Sequence, residues 1–391
     1  MRIDTRIAER LKKVNPSSTL AITSKAKKLK SEGRDIITFA AGEPDFDTPE
    51  PIKDEAIKAI REGFTKYTPT TGIPELKKLI ADKFKKDNLL DYQPNQIVVS
   101  CGAKHSIFNA LLVLINKGDE VLIPLPYWVS YPEMVHLCDG KPRFIKTSAA
   151  NNFKVTPEEL ERHISAKTKV FILNSPSNPT GCVYSEEELR KIAEICVNKN
   201  IFVISDEIYE KIIFDNQKHI SIASFNKGIY NLTVTVNGMS KSYSMTGWRI
   251  GYLGAPVDIA EAISRLQDHS TSNPASISQK AAVAALNMPD EFCSKMRDEF
   301  QSRRNYIASR LDKMKNISYC LPGGAFYVFC DISKTGLSSM DVANRLLDEV
   351  SLAVIPGEGF GKDDYIRLSF AASTKQIEEG MNRLERWLEK L

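Results

Sequence analysis

The middle of the chain alternates short apolar runs, which have the length of strands, with longer stretches of helical periodicity. The clearest apolar runs are 96–100 (QIVVS), 120–123 (EVLI), 169–173 (KVFIL), 201–205 (IFVIS) and 232–236 (LTVTV). Because successive positions are apolar, both faces of each strand are expected to be buried. Buried strands separated by helices pair in parallel through crossover connections. The sequence therefore predicts a large, doubly wound, mostly parallel α/β sheet domain.

The pattern changes after about residue 255, where long helical stretches precede short strands. Helices are predicted over 258–287, 291–315, 338–349 and 374–391, and strands over 325–332, 352–355 and 365–370. This mixture is typical of a smaller α+β domain. A helical segment at 17–33 is expected to pack with it. We therefore predict an N-terminal segment (1–45) packing with the small domain, a large domain (46–285) and a small C-terminal domain (286–391).

Composition and charge argue against several classes of partner. Lys plus Arg is 53 and Asp plus Glu is 49, and a net charge of +4 on 391 residues gives no nucleic-acid footprint. No apolar run reaches the roughly 18 residues of a membrane span, and the first ten residues lack the apolar core of a signal peptide. The seven cysteines form no C-x-x-C pair, which favours a reducing compartment. We expect a cytoplasmic protein without nucleic-acid or membrane partners.

Several common catalytic motifs are missing from the sequence. It contains no G-x-G-x-x-G after a strand, no P-loop, no H-E-x-x-H and no G-x-S-x-G. The five histidines have no ligand spacing, so no metal site is predicted. An α/β enzyme without these motifs is expected to hold its ligand by other means.

Residues that follow the strands are the first candidates for a ligand site, because open α/β sheets bind ligands at the carboxyl ends of their strands. After QIVVS come Gly102, Ala103 and Lys104, which open an apolar helix. Small residues at such a turn let backbone N–H groups face an anion, although an ordinary tight turn has the same composition.

Two further strand ends carry polar side chains. After KVFIL, the segment 174–181 (NSPSNPTG) contains prolines that fix the backbone and present Asn178 rigidly. After IFVIS come Asp206 and Tyr209. An acid at the end of a buried strand needs a cation or a hydrogen-bond donor, and a structural ion pair is the alternative explanation for it.

The segment 237–251 (NGMSKSYSMTGWRIG) follows the last of the five runs. Ser240 and Arg249 suit a phosphate, and Lys241 is expected to have a lowered pKa in a partly dry pocket and to be a candidate nucleophile. Together the strand ends offer partners for a phosphate, a ring nitrogen, a ring oxygen and an aldehyde. Pyridoxal 5'-phosphate carries all four groups.

The segment 238–251 resembles, position by position, the signature around the Schiff-base lysine of the class I (fold type I) aminotransferases. Six further blocks are similar to the prokaryote-type aspartate aminotransferase branch: 42–50 (GEPDFDTPE), 66–77 (KYTPTTGIPELK), 126–134 (PYWVSYPEM), 174–181, 205–210 (SDEIYE) and 365–370 (YIRLSF). The resemblance covers essentially the whole chain. It implies the fold of the pyridoxal-phosphate-dependent transferases of type I, with a large sheet domain and a smaller α+β domain.

The resemblance implies a role for each matching residue around the cofactor ring. Lys241 is expected to form the Schiff base and move protons, and Asp206 to hold the proton of the ring nitrogen. Asn178 and Tyr209 are expected to contact the ring oxygen. Trp128 is expected to stack on the ring and face the substrate, although as a bare sequence feature it is equally a core aromatic.

Other roles concern the phosphate and the substrate. The phosphate is assigned to the turn at Gly102, Ala103 and Lys104, with Ser240 and Arg249. Arg367 is expected to clamp the substrate α-carboxylate, with the backbone at Gly42 and the side chain of Asn178 assisting. Tyr67 is expected to reach the phosphate of a second subunit, which implies a homodimer with shared active sites.

Lys104 decides the expected substrate, because the resemblance implies that it binds a distal carboxylate. The favoured reaction moves an amino group between L-aspartate and 2-oxoglutarate by ping-pong chemistry, giving oxaloacetate and L-glutamate. A subgroup that also converts prephenate to arogenate pairs this lysine with a threonine, here Thr19, which could equally be a packing residue of its helix.

Three further functions stay open for a chain of this fold. It could be an aminotransferase for aromatic or other amino acids, a β-lyase, or a non-catalytic protein. A non-catalytic protein is expected to lose Lys241, Asp206 or Arg367, and the sequence keeps all three.

Overall fold

The computed structural model of the protein describes residues 6–15 and 18–391, without the side chains of 18–21. Strands and helices alternate through most of it. The strands are β1 (Ile37–Thr38), β2 (Ile97–Ser100), β3 (Glu120–Leu125), β4 (Lys141–Lys146), β5 (Thr168–Asn174), β6 (Phe202–Asp206), β7 (Thr233–Gly238), β8 (Gly251–Gly254), β9 (Ser318–Tyr319), β10 (Tyr327–Asp331), β11 (Leu352–Ala353), β12 (Ile355–Pro356) and β13 (Tyr365–Ser369).

The α-helices vary in length from one turn to about six. They are α1 (Ser18–Ser31), α2 (Glu50–Arg61), α3 (Pro74–Asn88), α4 (Ala103–Leu114), α5 (Ser130–Leu137), α6 (Pro157–His163), α7 (Glu186–Asn198), α8 (Lys227–Tyr230), α9 (Met239–Ser242), α10 (Val257–Asp268), α11 (Ser276–Asn287), α12 (Glu291–Leu311), α13 (Ser339–Val350) and α14 (Thr374–Leu388). No helix in the described part of the chain is long and apolar enough to cross a membrane.

A seven-stranded sheet with the order β2–β8–β7–β6–β5–β3–β4 forms the centre of the protein. The strands from β7 to β4 run parallel, whereas β8 runs antiparallel to both of its neighbours. All five apolar runs become strands of this sheet, which confirms the predicted mostly parallel α/β architecture. The register places Asn174 opposite Asp206, and Asp206 opposite Val236. Residues that follow these strands therefore meet at one edge.

The strand β8 was not predicted, because only Tyr252 and Leu253 stand between its glycines. A Cβ atom on Gly251 would lie 2.1 Å from the backbone nitrogen of Ala103. The close approach of β8 to the start of α4 therefore requires glycine at this position. The sheet gains an antiparallel strand beside the predicted anion-binding turn.

The predicted helix over 258–287 is wrong, because the structure contains two helices there, α10 and α11. The break contains Pro274, which has no N–H to donate and disfavours helical backbone at the preceding Asn273. The side-chain amide of Gln279 in α11 donates to the carbonyl oxygen of Pro274 at 2.8 Å and stabilises the break. The dipeptide Asn-Pro was the sequence signal for this turn.

A four-stranded antiparallel sheet, β12–β13–β10–β9, lies in the C-terminal part of the chain. The strand predicted over 352–355 is divided between β11 and β12. Strand β1 pairs in parallel with β11, so the N-terminal segment joins the C-terminal elements. Ile22 and Ala26 of α1 belong to the same hydrophobic cluster as residues of β10 and β13. The boundaries at residues 45 and 285 stay a prediction.

Candidate active site

A cavity of about 690 Å³ lies at the carboxyl ends of the parallel strands and extends to β10 and β13 of the smaller sheet. Most of the site residues predicted from the sequence line it. They are Gly42, Ala103, Lys104, Trp128, Asn178, Asp206, Tyr209, Ser240, Lys241, Arg249 and Arg367. The structure thus brings residues from seven separate blocks of the sequence into one space.

Two of the predicted residues that the structure describes, Gly102 and Tyr67, do not line this cavity. Gly102 lies directly before α4 with a φ of 91°, and a Cβ atom there would lie 2.3 Å from Arg249 Nη2, so this turn requires glycine. Tyr67 is 91% exposed and lies away from the cavity of its own chain. The side chain of Thr19 lies outside the described residues.

Lys241 lies in α9, the short helix that directly follows β7. Its ammonium group donates to the carbonyl oxygen of Gly42. Burial lowers the pKa of Lys241 to about 8; Glu43 opposes this effect, whereas Arg367 and Arg249 add to it. A lysine with this pKa carries an appreciable fraction of neutral, nucleophilic amine near neutral pH.

Asp206 ends β6 and is 4% exposed. The hydroxyl of Tyr131 donates to Asp206 Oδ2 at 2.6 Å, and the backbone N–H of Ile208 donates to Oδ1 at 3.3 Å. Burial nevertheless raises the pKa of Asp206 to about 6. A cationic N–H beside this carboxylate would offset the cost of burying its charge.

Tyr131 was not predicted as a site residue. It lies on α5, three positions after Trp128 in PYWVSYPEM, and the two rings meet edge to face at 5.2 Å. The spacing of three residues was the available signal, but whether the hydroxyl reaches Asp206 depends on how α5 packs on the sheet.

Arg367 lies on β13 and is 2% exposed. Its Nη1 donates to Asn178 Oδ1 at 3.0 Å and its Nη2 to the carbonyl oxygen of Ala40 at 3.1 Å. Its Nε has no hydrogen-bond partner among the described residues. The guanidinium lies 4.3 Å from the ring centre of Tyr327. A buried guanidinium held by neutral groups, with a donor to spare, is suited to binding a carboxylate.

The hydroxyl groups of Tyr209 and Tyr327 lie 2.9 Å apart inside the same cavity. Tyr327 was not predicted, because its position in an apolar strand (AFYVFCDI) gives no sign that its hydroxyl faces a site. Its contact with Tyr209 links β10 of the smaller sheet to the segment after β6.

The cavity also contains donors for an anion. Ser240 is buried beside Lys241, and the N-terminus of α4 begins at Ala103. Arg249 is held by its bonds to the carbonyl oxygens of Thr246, at 2.8 Å, and Cys101, at 3.2 Å. A hydroxyl, a guanidinium and a helix N-terminus are a suitable set of phosphate ligands.

Lys104 extends from α4 over the ring of Trp128, with its Nζ 4.9 Å from the ring centre. Desolvation lowers the pKa of Lys104, and the charge of Arg249 adds to the effect. This contact holds Lys104 as a further cation at the cavity, which also contains Arg249 and Arg367.

A second buried polar cluster follows the end of β6. The amide of Asn88 donates to both Glu207, at 3.0 Å, and Glu210, at 2.7 Å, and His219 Nε2 lies 2.8 Å from Glu207. Lys83 pairs with Glu210 and, against the effect of burial, lowers the pKa of that carboxyl to about 2. Lys83 therefore provides the positive charge that stabilises the buried carboxylate of Glu210.

We predict a pH-dependent contribution of Asp206 to stability in the protein stripped of bound ligands. Because the folded-state pKa is raised from 3.8 to about 6, the contribution is fully present below pH 3.8 and is lost as pH rises through 6. Between pH 4 and pH 7, the wild type should lose about 2–3 kcal/mol of unfolding free energy relative to Asp206→Asn. Urea unfolding of both proteins at each pH measures this difference in unfolding free energy.

The control for this experiment is Asp258→Asn on the exposed face of α10, which should follow the wild-type profile. Parallel profiles for the wild type and Asp206→Asn would contradict the raised pKa of Asp206.

Comparisons with known proteins agree on one family. The family model described as aminotransferase class I and II matches residues 34–384. The aspartate aminotransferase of Bacillus sp. (strain YM-2) is 49% identical over 387 residues, which cover 98% of this chain and 99% of that protein. The aspartate/prephenate aminotransferase of Cereibacter sphaeroides (strain ATCC 17029 / ATH 2.4.9) is 44% identical over 390 residues, covering 97% and 98%.

Comparison of the fold with solved structures indicates the same family. The crystal structure of the aspartate aminotransferase from Rhizobium meliloti superposes with a TM-score of 0.95 at 39% sequence identity, covering 99% of this chain and 100% of that one. The predicted resemblance is confirmed over nearly the whole length. The chain belongs to the class I and II aminotransferases, and enzymes of its aspartate aminotransferase type use pyridoxal 5'-phosphate as their cofactor.

Proposed function

We propose that the protein is an aspartate aminotransferase, which moves the amino group of L-aspartate to 2-oxoglutarate and gives oxaloacetate and L-glutamate in two half-reactions. One observation carries this proposal: a single cavity combines the lysine amine of Lys241, the buried carboxylate of Asp206 and two cations, Arg367 and Lys104, for the two carboxylates of the substrate. Relatives with this name and 47–49% identity support it.

The donor set of the cavity fits pyridoxal 5'-phosphate. Its phosphate would be held by Ser240, Arg249 and the N–H groups that begin α4. Its ring nitrogen would face Asp206, and Asn178 and Tyr209 would contact its ring oxygen. Trp128 would stack on its face. When bound, the cofactor supplies a carbonyl that condenses with amines and a ring that withdraws the electron pair from the substrate carbon.

The lowered pKa suits Lys241 to the proton transfers of the reaction. Its amine lies near groups that favour the charged form, the Gly42 carbonyl and Glu43, and near two arginines that oppose it. A base with a pKa of about 8 accepts a proton and returns it within the same site at neutral pH. We assign to Lys241 the movement of the proton from the substrate α-carbon.

Arg367 and Lys104 would each bind one of the two carboxylates of the substrate. The buried guanidinium of Arg367 would bind the α-carboxylate, since Nη1 and Nη2 each donate only one hydrogen bond within the protein and both bonds go to neutral oxygens. Lys104, over the ring of Trp128, would bind the distal carboxylate. Two cations in one cavity favour dicarboxylic amino acids over neutral ones.

We predict that Lys241→Ala and Lys241→Arg abolish the visible absorbance band of the cofactor bound through the lysine. Arginine keeps a positive charge but cannot provide a neutral amine at neutral pH. Spectra of the purified proteins with added pyridoxal 5'-phosphate measure the effect, and Lys104→Ala should keep the band. A band that persists in both Lys241 variants would refute the assignment.

We predict that Lys104→Ala lowers kcat/KM for L-aspartate by about tenfold to a hundredfold, because one charge-assisted hydrogen bond to the substrate is lost. Activity with a neutral donor such as L-alanine should change by less than about threefold. Steady-state rates with the two donors measure the difference. Equal losses on both donors would remove Lys104 from this role.

A bifunctional aspartate/prephenate aminotransferase is the second candidate, because a relative at 44% identity over 390 residues carries that name. Prephenate also has two carboxylates, so Arg367 and Lys104 suit it on the same grounds. In this reaction Thr19 would act together with Lys104, as the resemblance to the prephenate-converting subgroup implies. Formation of arogenate from prephenate and an amino donor would establish the second activity, and its absence would exclude it.

We also propose that two copies of the chain form a homodimer with shared active sites. The loop that carries the exposed Tyr67 is held by two buried glutamines: Gln279 donates to Thr68 at 2.9 Å and Gln267 donates to the carbonyl oxygen of Thr70 at 2.9 Å. A tyrosine held in an ordered loop but 91% exposed is suited to contact another subunit. Its hydroxyl would reach the partner's phosphate.

Subunit mixing tests this arrangement. We predict that Tyr67→Ala and Lys241→Ala are each impaired alone, and that refolded mixtures regain activity, because one site of the heterodimer then contains both wild-type residues. Sedimentation should give twice the mass of one chain. Mixtures no more active than the separate variants would contradict the shared site.

The seven cysteines are all free in the structure. Unpaired cysteines are typical of proteins from reducing compartments. We therefore propose the cytoplasm as the location of the enzyme.

A further inference from the structure

Asn174, the last residue of β5, joins two parts of the proposed site through its side-chain amide. Its Nδ2 donates to the carbonyl oxygen of Asp206 at 3.0 Å, and its Oδ1 accepts the backbone N–H of Asn178 at 2.9 Å. The side chain is half-buried and lines the cavity. The roles proposed above leave Asn174 without one.

The first of these bonds fixes the end of β6. The sheet register already places Asn174 beside Asp206, and the backbone N–H of Ser175 also donates to the Asp206 carbonyl at 3.3 Å. Two donors from one segment on a single carbonyl oxygen hold the backbone from which the Asp206 carboxylate extends. The position of that carboxylate therefore depends on the segment after β5.

The second bond fixes Asn178, and with it Arg367. Asn178 is 7% exposed, and its Oδ1 accepts from Arg367 Nη1 at 3.0 Å. A continuous line of hydrogen bonds thus runs from Asp206 through Asn174 and Asn178 to Arg367. One end of the line is the main-chain carbonyl of Asp206, the residue whose carboxylate would face the cofactor ring, and the other end is the guanidinium that would bind the substrate.

We propose that Asn174 is a positioning residue that sets the distance between the ring-nitrogen partner Asp206 and the carboxylate-binding Arg367. The proposal rests on the function proposed above. Only a side chain that donates and accepts at once serves both bonds: an ionised aspartate lacks the donor, and leucine, of nearly the same shape, lacks both. Asn174 acts on the substrate through Asn178, without being a catalytic residue.

The experiment uses the holoenzyme and succinate, a dicarboxylate without an amino group that binds but does not react. Dissociation constants are measured by titration for the wild type, Asn174→Leu, Asn178→Ala and the double variant, so that the four proteins form a double-mutant cycle. The pH midpoint of the cofactor absorbance band is measured on the same samples. Asn174→Ala repeats the cycle if the leucine variant does not fold.

Asn226→Leu is the matched control. Its side-chain oxygen also accepts a backbone N–H, that of Ile229 at 3.1 Å, but it caps α8 and does not line the cavity. This variant should lower Tm and leave both the succinate dissociation constant and the pH midpoint at their wild-type values.

If Asn174 acts through Asn178, Asn174→Leu raises the succinate dissociation constant about tenfold and shifts the pH midpoint, whereas the same substitution in the Asn178→Ala background adds less than about twofold. Equal losses in both backgrounds, or a lower Tm with unchanged binding and midpoint, would overturn the proposal. A wild-type protein that shows no cofactor band would overturn the proposed function, and this inference with it.

Discussion

The burial of opposite charges without full pairing is the constraint on which the site depends. Asp206, Lys241 and Arg367 lie at one cavity, and burial shifts the pKa of each toward its neutral form. Such groups cost folding free energy unless neighbours or ligands compensate them. The fold provides neutral partners, which are the hydroxyl of Tyr131 and the carbonyls of Gly42 and Ala40. In the proposed function, an anionic cofactor and a dicarboxylic substrate would supply the remaining compensation.

The topology explains how these charges meet. The parallel strands β5, β6 and β7 end at the same edge, and each delivers polar groups from its last residue or from the segment that follows it. Arg367 comes from the other sheet, on β13, and its bond to Asn178 joins the two sheets across the cavity. In the proposed site, the groups for the cofactor ring and the guanidinium for the substrate carboxylate therefore come from different sheets.

Much of this arrangement could be predicted from the sequence, because the strand ends are visible as apolar runs followed by polar residues. Asp206 and Lys241 were found in that way, and a match to a family signature added Arg367. The dipeptide Asn273-Pro274 indicates a break, so the single helix predicted over 258–287 was an avoidable error.

The roles of three residues could not be predicted from the sequence: Tyr131, Tyr327 and Asn174. Each role depends on which neighbour a hydroxyl or an amide reaches after the elements pack. The need for glycine at position 251 could not be predicted either, because a side chain is excluded there only by the close approach of the backbone at Gly102 and Ala103.

One cavity is proposed to bind the cofactor through Lys241 and to accept a dicarboxylic amino acid. A single half-reaction tests it most directly: the holoenzyme is mixed with L-aspartate in the absence of any oxo acid, and the cofactor spectrum and oxaloacetate are followed together. We expect the lysine-bound band to disappear and one oxaloacetate to form per subunit. An unchanged spectrum with no oxaloacetate would contradict it.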